Sequence, residues 1–235
     1  GALDDLQRIL YSARVRAGEI DPNDPQQRVV VRASMQPPVL EVSRSKPTRL
    51  EYALLPVEKL GPFEALAGVA FLTRRGQPIV WRLEDSSTPH ALVAGMSGSG
   101  KRNLLLSLLL SLATNTDPQR LALFVVDGGN SSLLAVRGLA HTARFTGDAQ
   151  EAVQVVHQVA ALVQERKRRS LTEVQERALL VVDELANIMA VLPKAQAAQL
   201  TQELATVAAE GRKFGVHLMA ATQKPLAEVT GSLTK

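Results

Sequence analysis

The chain has 235 residues, 46% hydrophobic and 21% charged, which describes a globular protein with room for one large α/β domain or a core of ~150 residues plus an appendage. It contains no cysteine, so disulfides, thiolate metal sites and cysteine nucleophiles are excluded. A net charge of +4 permits a polyanionic partner without arguing for one.

The N-terminal stretch "GALDDLQRIL" is acidic and amphipathic and does not read as a signal peptide. The first 89 residues hold 9 of the 12 prolines, with short extended runs such as "RVVVRA" and "LEYALL" between them, so short strands and loops are expected there. "GVAFLTRRGQPIVWRL" reads as a hairpin turning near Arg75, Gly76 and Gln77. From Pro89 the pattern becomes regular. "HALVAG" is a short buried strand, followed by a helix over about 101–115. "LALFVVD" is a strand over 121–127, and a long helix over about 148–169 follows with Asp148 as its N-cap. In that helix Ala152, Val155, Val156, Val159, Leu162 and Val163 recur at helical spacing and form one buried face. "ALLVVDE" supplies a third strand over 178–183, a helix over about 194–211 comes next, and "VHLMAATQ" is a fourth strand. Near-continuous apolar strands alternating with helices imply a parallel sheet with helices on both faces.

The longest apolar run is interrupted by Ser107 and Ser111 and falls short of the ~20 residues that span a bilayer. The chain itself is therefore expected in the cytoplasm, with membrane association through a segment outside it left open. His90, His141, His157 and His217 lack metal-ligand spacing and read as packed or surface residues.

Ligands of parallel sheets bind at the carboxyl ends of the strands. Here those ends carry Gly95, Asp127, Asp183 with Glu184, and Thr222 with Gln223. Gly95, Met96, Ser97, Gly98, Ser99, Gly100 and Lys101 follow the G-x-x-x-x-G-K order between a strand and a helix. Such a loop turns backbone N–H groups and a helix N-terminus toward phosphates, and Lys101 would reach the β- and γ-phosphates of ATP. Asp183 would hold Mg²⁺ and Glu184 would polarise the attacking water. Gln223 is either a γ-phosphate contact or an ordinary turn residue. Arg212 is either an exposed basic turn or an arginine finger for a neighbouring subunit's site. The basic run in "QERKRRS" completes a helix terminus, with DNA contact as the second reading.

The eighth loop position holds Arg102, followed by Asn103, where a Ser or Thr hydroxyl would coordinate Mg²⁺. A guanidinium cannot coordinate a cation and brings positive charge to its place. The expectation is weakened or Mg²⁺-independent nucleotide binding and strongly reduced hydrolysis.

Together, "PHALVAGMSGSGKRNLL", "LLVVDELANIM" and "GRKFGVHLMAATQKP" resemble the motor core of the FtsK/SpoIIIE family of DNA translocases over about residues 78–231. The resemblance implies a RecA-like P-loop core over 76–235 that assembles as a hexameric ring around double-stranded DNA, preceded by a smaller mixed α/β accessory region over 1–75. That accessory region carries no matching motif. After Asp127, "DGGNSS" lacks the basic residue usual in the translocases and is closer to the ATPase modules of type VII secretion systems, whose secondary modules often have degenerate sites. That likeness makes a nucleotide-impaired module acting on a protein partner the alternative. The family core normally continues into another strand, so a C-terminal truncation is expected.

Overall fold

In the computed structural model, which describes residues 30–35, 38–43, 60–68, 79–129, 132–172 and 174–223, the alternating apolar runs and helices become one parallel sheet between two helical layers. Contacts divide the chain into two units, residues 1–55 with 69–77 and residues 56–68 with 78–235. In the first unit, β1 (Val30–Met35) pairs antiparallel with β2 (Pro38–Ser43), matching the extended run "RVVVRA".

The second unit opens with β3 (Glu64–Gly68) paired antiparallel to β4 (Ile79–Arg82). The first arm of this hairpin starts earlier than its apolar run predicts, at Glu64. Its turn near Arg75, like the run "LEYALL" and everything after Gln223, lies outside the described residues. Next come β5 (Ala91–Ala94), α1 (Lys101–Asn115), β6 (Leu121–Asp127), β7 (Thr142–Thr146) and α2 (Ala149–Arg168). The unit then runs through β8 (Arg177–Asp183), α3 (Leu185–Val191), α4 (Lys194–Glu210), a 3₁₀ turn (Gly211–Phe214) and β9 (Val216–Thr222). The sheet order is β5-β9-β8-β6-β7, parallel throughout.

Alternation along each central strand divides the core in two. Phe124, Val126, Leu180, Val182, Leu218 and Ala220 pack against α2, α3 and α4. Leu123, Val125, Leu179, Val181, Met219 and Ala221 pack against α1 and the β3–β4 ribbon. Each buried Val or Leu contributes about 1.5–3 kcal/mol, so a strand apolar on both faces is stable only between two covering layers.

Two polar anchors tie α1 to the ribbon: Leu66 N–H donates to Ser111 Oγ at 3.1 Å and Phe63 N–H to Thr116 Oγ1 at 2.9 Å. The Ser111 that interrupts the apolar run is thus a buried acceptor. The helix is buried along one face only, through Leu105, Leu108, Leu109 and Leu112, while Leu110 is exposed.

Three elements correct the sequence expectation. β5 is not a fully buried strand: among the described residues it pairs only with β9, turns Ala91 and Val93 to the core, and leaves Leu92 44% exposed. β7 and α3 were not anticipated. The run "TARFT" is polar because its strand sits at the described sheet edge, and "LANIMAV" is too short to show a helical period.

Candidate functional site

The strand-to-helix turn after β5 has the backbone that its glycines permit. Gly98 and Gly100 take φ values of +80° and +89°, in the left-handed region that side chains disfavour. Gly100 caps α1, and the first helical turn holds Lys101 and Arg102 with no acidic residue. Cations at a helix N-terminus oppose its dipole, so this charge arrangement is stabilised by an anion. Arg102 and Asn103 are exposed, and Arg102 makes no hydrogen bond or ion pair with any described residue.

Sheet register brings the other groups to the same edge. Gly95 N–H donates to Thr222 O at 3.2 Å, Glu184 N–H to Ala221 O at 2.9 Å, and Gly128 N–H to Asp183 O at 3.0 Å. Asp127 lies opposite Asp183 in the β6–β8 ladder. Around them opens a cleft of about 320 Å³, lined by Met96, Ser97, Gly98, Gly100, Lys101, Arg102, Asn103, Gly129, Ser132, Asp183, Glu184 and Gln223. Gly95 and Ser99 are not among its lining residues: a Cβ on Gly95 would collide with the hydroxyl of the exposed Ser99, so the turn of the loop admits only glycine at its start.

Lys101 Nζ donates to Glu184 Oε2 at 2.6 Å and lies 3.2 Å from Asp183 Oδ1. Burial opposes its charge, but the hydrogen bond to Glu184 and the charge of Asp183 more than offset this, holding the ammonium above the ordinary lysine range. Glu184 is 4% exposed, and its other carboxylate oxygen accepts from the Gln223 backbone N–H at 3.1 Å. Gln223 therefore meets Glu184 through its main chain.

Asp183 is 2% exposed, and its Oδ1 is buried without a hydrogen bond. At 3.2 Å, Lys101 offers that oxygen an ion-pair contact rather than an aligned hydrogen bond. An orphaned carboxylate oxygen beside a phosphate loop fits Mg²⁺, which takes one or two carboxylates and completes its shell with phosphates and water. No cluster of three or more metal-ligating side chains exists among the described residues, so Asp183 would be the principal protein ligand.

Sequence reasoning missed Gly129 and Ser132. Their signal was present in "DGGNSS", a run of small polar residues at a strand's carboxyl end. The Asp127 carboxylate accepts N–H groups from Gly129, Ser132 and Leu133 at 3.3, 3.2 and 2.8 Å, holding these three residues at the strand end.

Two expected features lie apart from the cleft. Arg212 is exposed on the 3₁₀ turn before the amino end of β9. The seven residues of β9, at ~3.3 Å each, set it on the order of 20 Å from the cleft of its own chain. The basic run at the end of α2 is engaged locally: Arg166 donates to Phe214 O at 2.7 Å, Lys167 pairs with Glu210 at 2.7 Å, and Arg168 and Arg169 pair with Glu165. These contacts fit the helix-terminus reading, and the side chains of Arg168 and Arg169 stay largely exposed.

A family model for FtsK/SpoIIIE matches residues 39–178. The chain belongs to the FtsK/SpoIIIE family. The match reaches back well before residue 78, into the region without recognisable motifs. The type VII secretion system protein EssC of Staphylococcus aureus is 31% identical over 166 residues, covering 60% of this chain and 11% of EssC. The DNA translocase FtsK of Corynebacterium efficiens is 28% identical over 178 residues, covering 63% of this chain and 18% of FtsK. The chain thus spans less than a fifth of the length of these FtsK/SpoIIIE relatives. Among solved structures, the pCW3 conjugation coupling protein TcpA with ATPγS has a TM-score of 0.60 at 19% identity, covering 95% of this chain and 67% of that one. Thermomonospora curvata EccC (ATPases 2 and 3), in complex with a signal sequence peptide, has a TM-score of 0.56 at 21% identity, covering 77% of this chain and 33% of that one. At these identities the structural likeness establishes a shared fold.

Proposed function

We propose that this chain is the ATP-binding module of an FtsK/SpoIIIE-type motor that moves double-stranded DNA, and that Arg102 reduces its hydrolysis. The observation that carries the reading is the convergence of Lys101, Asp183, Glu184 and the free N-terminus of α1 on one cleft. Backbone N–H groups of residues 98–103 and the Lys101 ammonium bind and orient the phosphates. Glu184, held in place by Lys101 and the Gln223 N–H, orients and polarises the attacking water. Mg²⁺ held by Asp183 would supply charge neutralisation to the phosphates. Asp183 is the ligand this chain offers it, because Arg102 replaces the second one. The Arg102 guanidinium, exposed and without a partner among the described residues, instead contacts a phosphate.

The test is ATP turnover with and without double-stranded DNA for the wild-type chain and Arg102→Ser. Restoring the hydroxyl raises DNA-stimulated turnover at least about tenfold, equivalent to ~1.4 kcal/mol of barrier. Equal rates for the two proteins remove the metal-ligand argument.

A second reading is a secretion ATPase module that acts on a protein partner with little turnover of its own. It is supported by the 31% identity to EssC and by the "DGGN" segment without a basic residue. Failure of both proteins to bind double-stranded DNA, with nucleotide binding intact, would favour this second reading.

A further inference from the structure

We propose that Ser132 is the positioning residue for Asp183, and that its hydroxyl organises the metal side of a phosphate site whose own loop has no hydroxyl at the eighth position. The proposal rests on reading the cleft as a Mg²⁺–nucleotide site. Ser132 is 8% exposed, and its Oγ lies 2.9 Å from Asp127 Oδ1 and 2.5 Å from Asp183 Oδ2. Asp127 already accepts three backbone N–H groups from the same segment, so the segment carrying Ser132 is pinned before the hydroxyl makes any contact. A hydroxyl has one proton to donate and here has two carboxylates to serve. It therefore couples the ends of β6 and β8 through one rotatable group.

The backbone closes the same side. A Cβ on Gly129 would stand 2.5 Å from Asp183 Oδ2 and 3.0 Å from Ser132 Oγ. Asp183 Oδ2 is thereby turned to the protein, and Oδ1 is left buried, without a hydrogen bond, on the Lys101 side of the cleft. With a Ser or Thr in the loop, a cation has two protein anchors. Arg102 leaves Asp183 as the principal one, so whatever sets the Asp183 rotamer decides how well the cation is held. Groups that orient a metal ligand typically contribute 10–100-fold to metal affinity.

The experiment measures two quantities on the full chain: the affinity for a fluorescent ATP analogue in EDTA, and the affinity for Mn²⁺ in the presence of saturating ATP analogue, read by electron paramagnetic resonance. Ser132→Ala is expected to bind nucleotide in EDTA within about twofold of wild type but to hold Mn²⁺ about tenfold more weakly. Ser132→Thr, which keeps the hydroxyl, should restore Mn²⁺ affinity. If Ser132→Ala unfolds, Ser132→Cys fills a similar volume with a poor donor and reads the same quantity. Unchanged Mn²⁺ affinity without the hydroxyl, or no rescue by threonine, overturns the proposal. Nucleotide binding by the wild type with no protein-held Mn²⁺ also overturns it while leaving the nucleotide site standing. Absence of nucleotide binding in either buffer overturns the site reading itself, and the proposal with it.

Discussion

Glu184 adopts left-handed backbone angles (φ 52°, ψ 53°), a conformation that costs a non-glycine residue ~1–3 kcal/mol. The strain is held by its N–H on Ala221 O and by Lys101 and Gln223 on its carboxylate, so the side chain proposed to polarise water sits on an over-determined backbone. Far from the cleft, His217 is 1% exposed, and burial pushes its imidazole down to about 4. Its Nδ1–H donates to Pro89 O at 2.9 Å, whereas His90 Nδ1 accepts from the Leu218 N–H at 3.0 Å. The unfolded chain protonates this histidine near pH 6.5, so between pH 6.5 and about 4 the unfolded state binds more protons. Stability from this group is complete above pH 6.5 and falls with pH across that window, by roughly 3 kcal/mol in all. Urea unfolding of His217→Gln should lose this part of the acid sensitivity, and an unchanged pH slope would refute the assignment. Neither histidine's role was legible in sequence, because burial beside a distant strand leaves no local signal.

At the scale of elements, α2 was readable because two independent signals agree. Its apolar residues recur at helical spacing, and Asp148 caps it by accepting from the Gln150 and Glu151 N–H groups at 2.8 and 2.9 Å. Asp148→Ala should cost about 1 kcal/mol, seen as a lower urea midpoint at unchanged slope. An unchanged midpoint would mean the cap contributes nothing measurable. β7 was not readable, because Thr142, Arg144 and Thr146 give a polar alternation that any loop could carry. The half-exposed state of β5 was hidden for another reason. "ALVA" states that a strand is apolar, not how many neighbours it acquires.

For the whole molecule, the separation of Arg212 from its own cleft is the feature with the largest consequence. We propose that Arg212, at the amino edge of the sheet, acts in an assembly on a neighbour's phosphates rather than in its own cleft. Arg212→Ala should bind nucleotide as wild type does and lose turnover by ~100-fold or more. Mixing it with Lys101→Ala, which keeps Arg212 but lacks the phosphate lysine, should recover activity, because some mixed neighbours assemble one complete site. No recovery would place Arg212 outside a shared site. No helix among the described residues is long and apolar enough to cross a membrane.

The parallel sheet, the helices on both its faces and the phosphate loop are legible in the local order of residues. Each of these follows from short-range patterns: apolar runs buried on both faces, caps, and glycines at fixed spacing. Which groups meet at the strand ends is a property of the folded sheet. Lys101 and Glu184 are 83 residues apart, and Ser132 and Asp183 are 51 apart. Strand order and register set those meetings, and no local window of residues carries them.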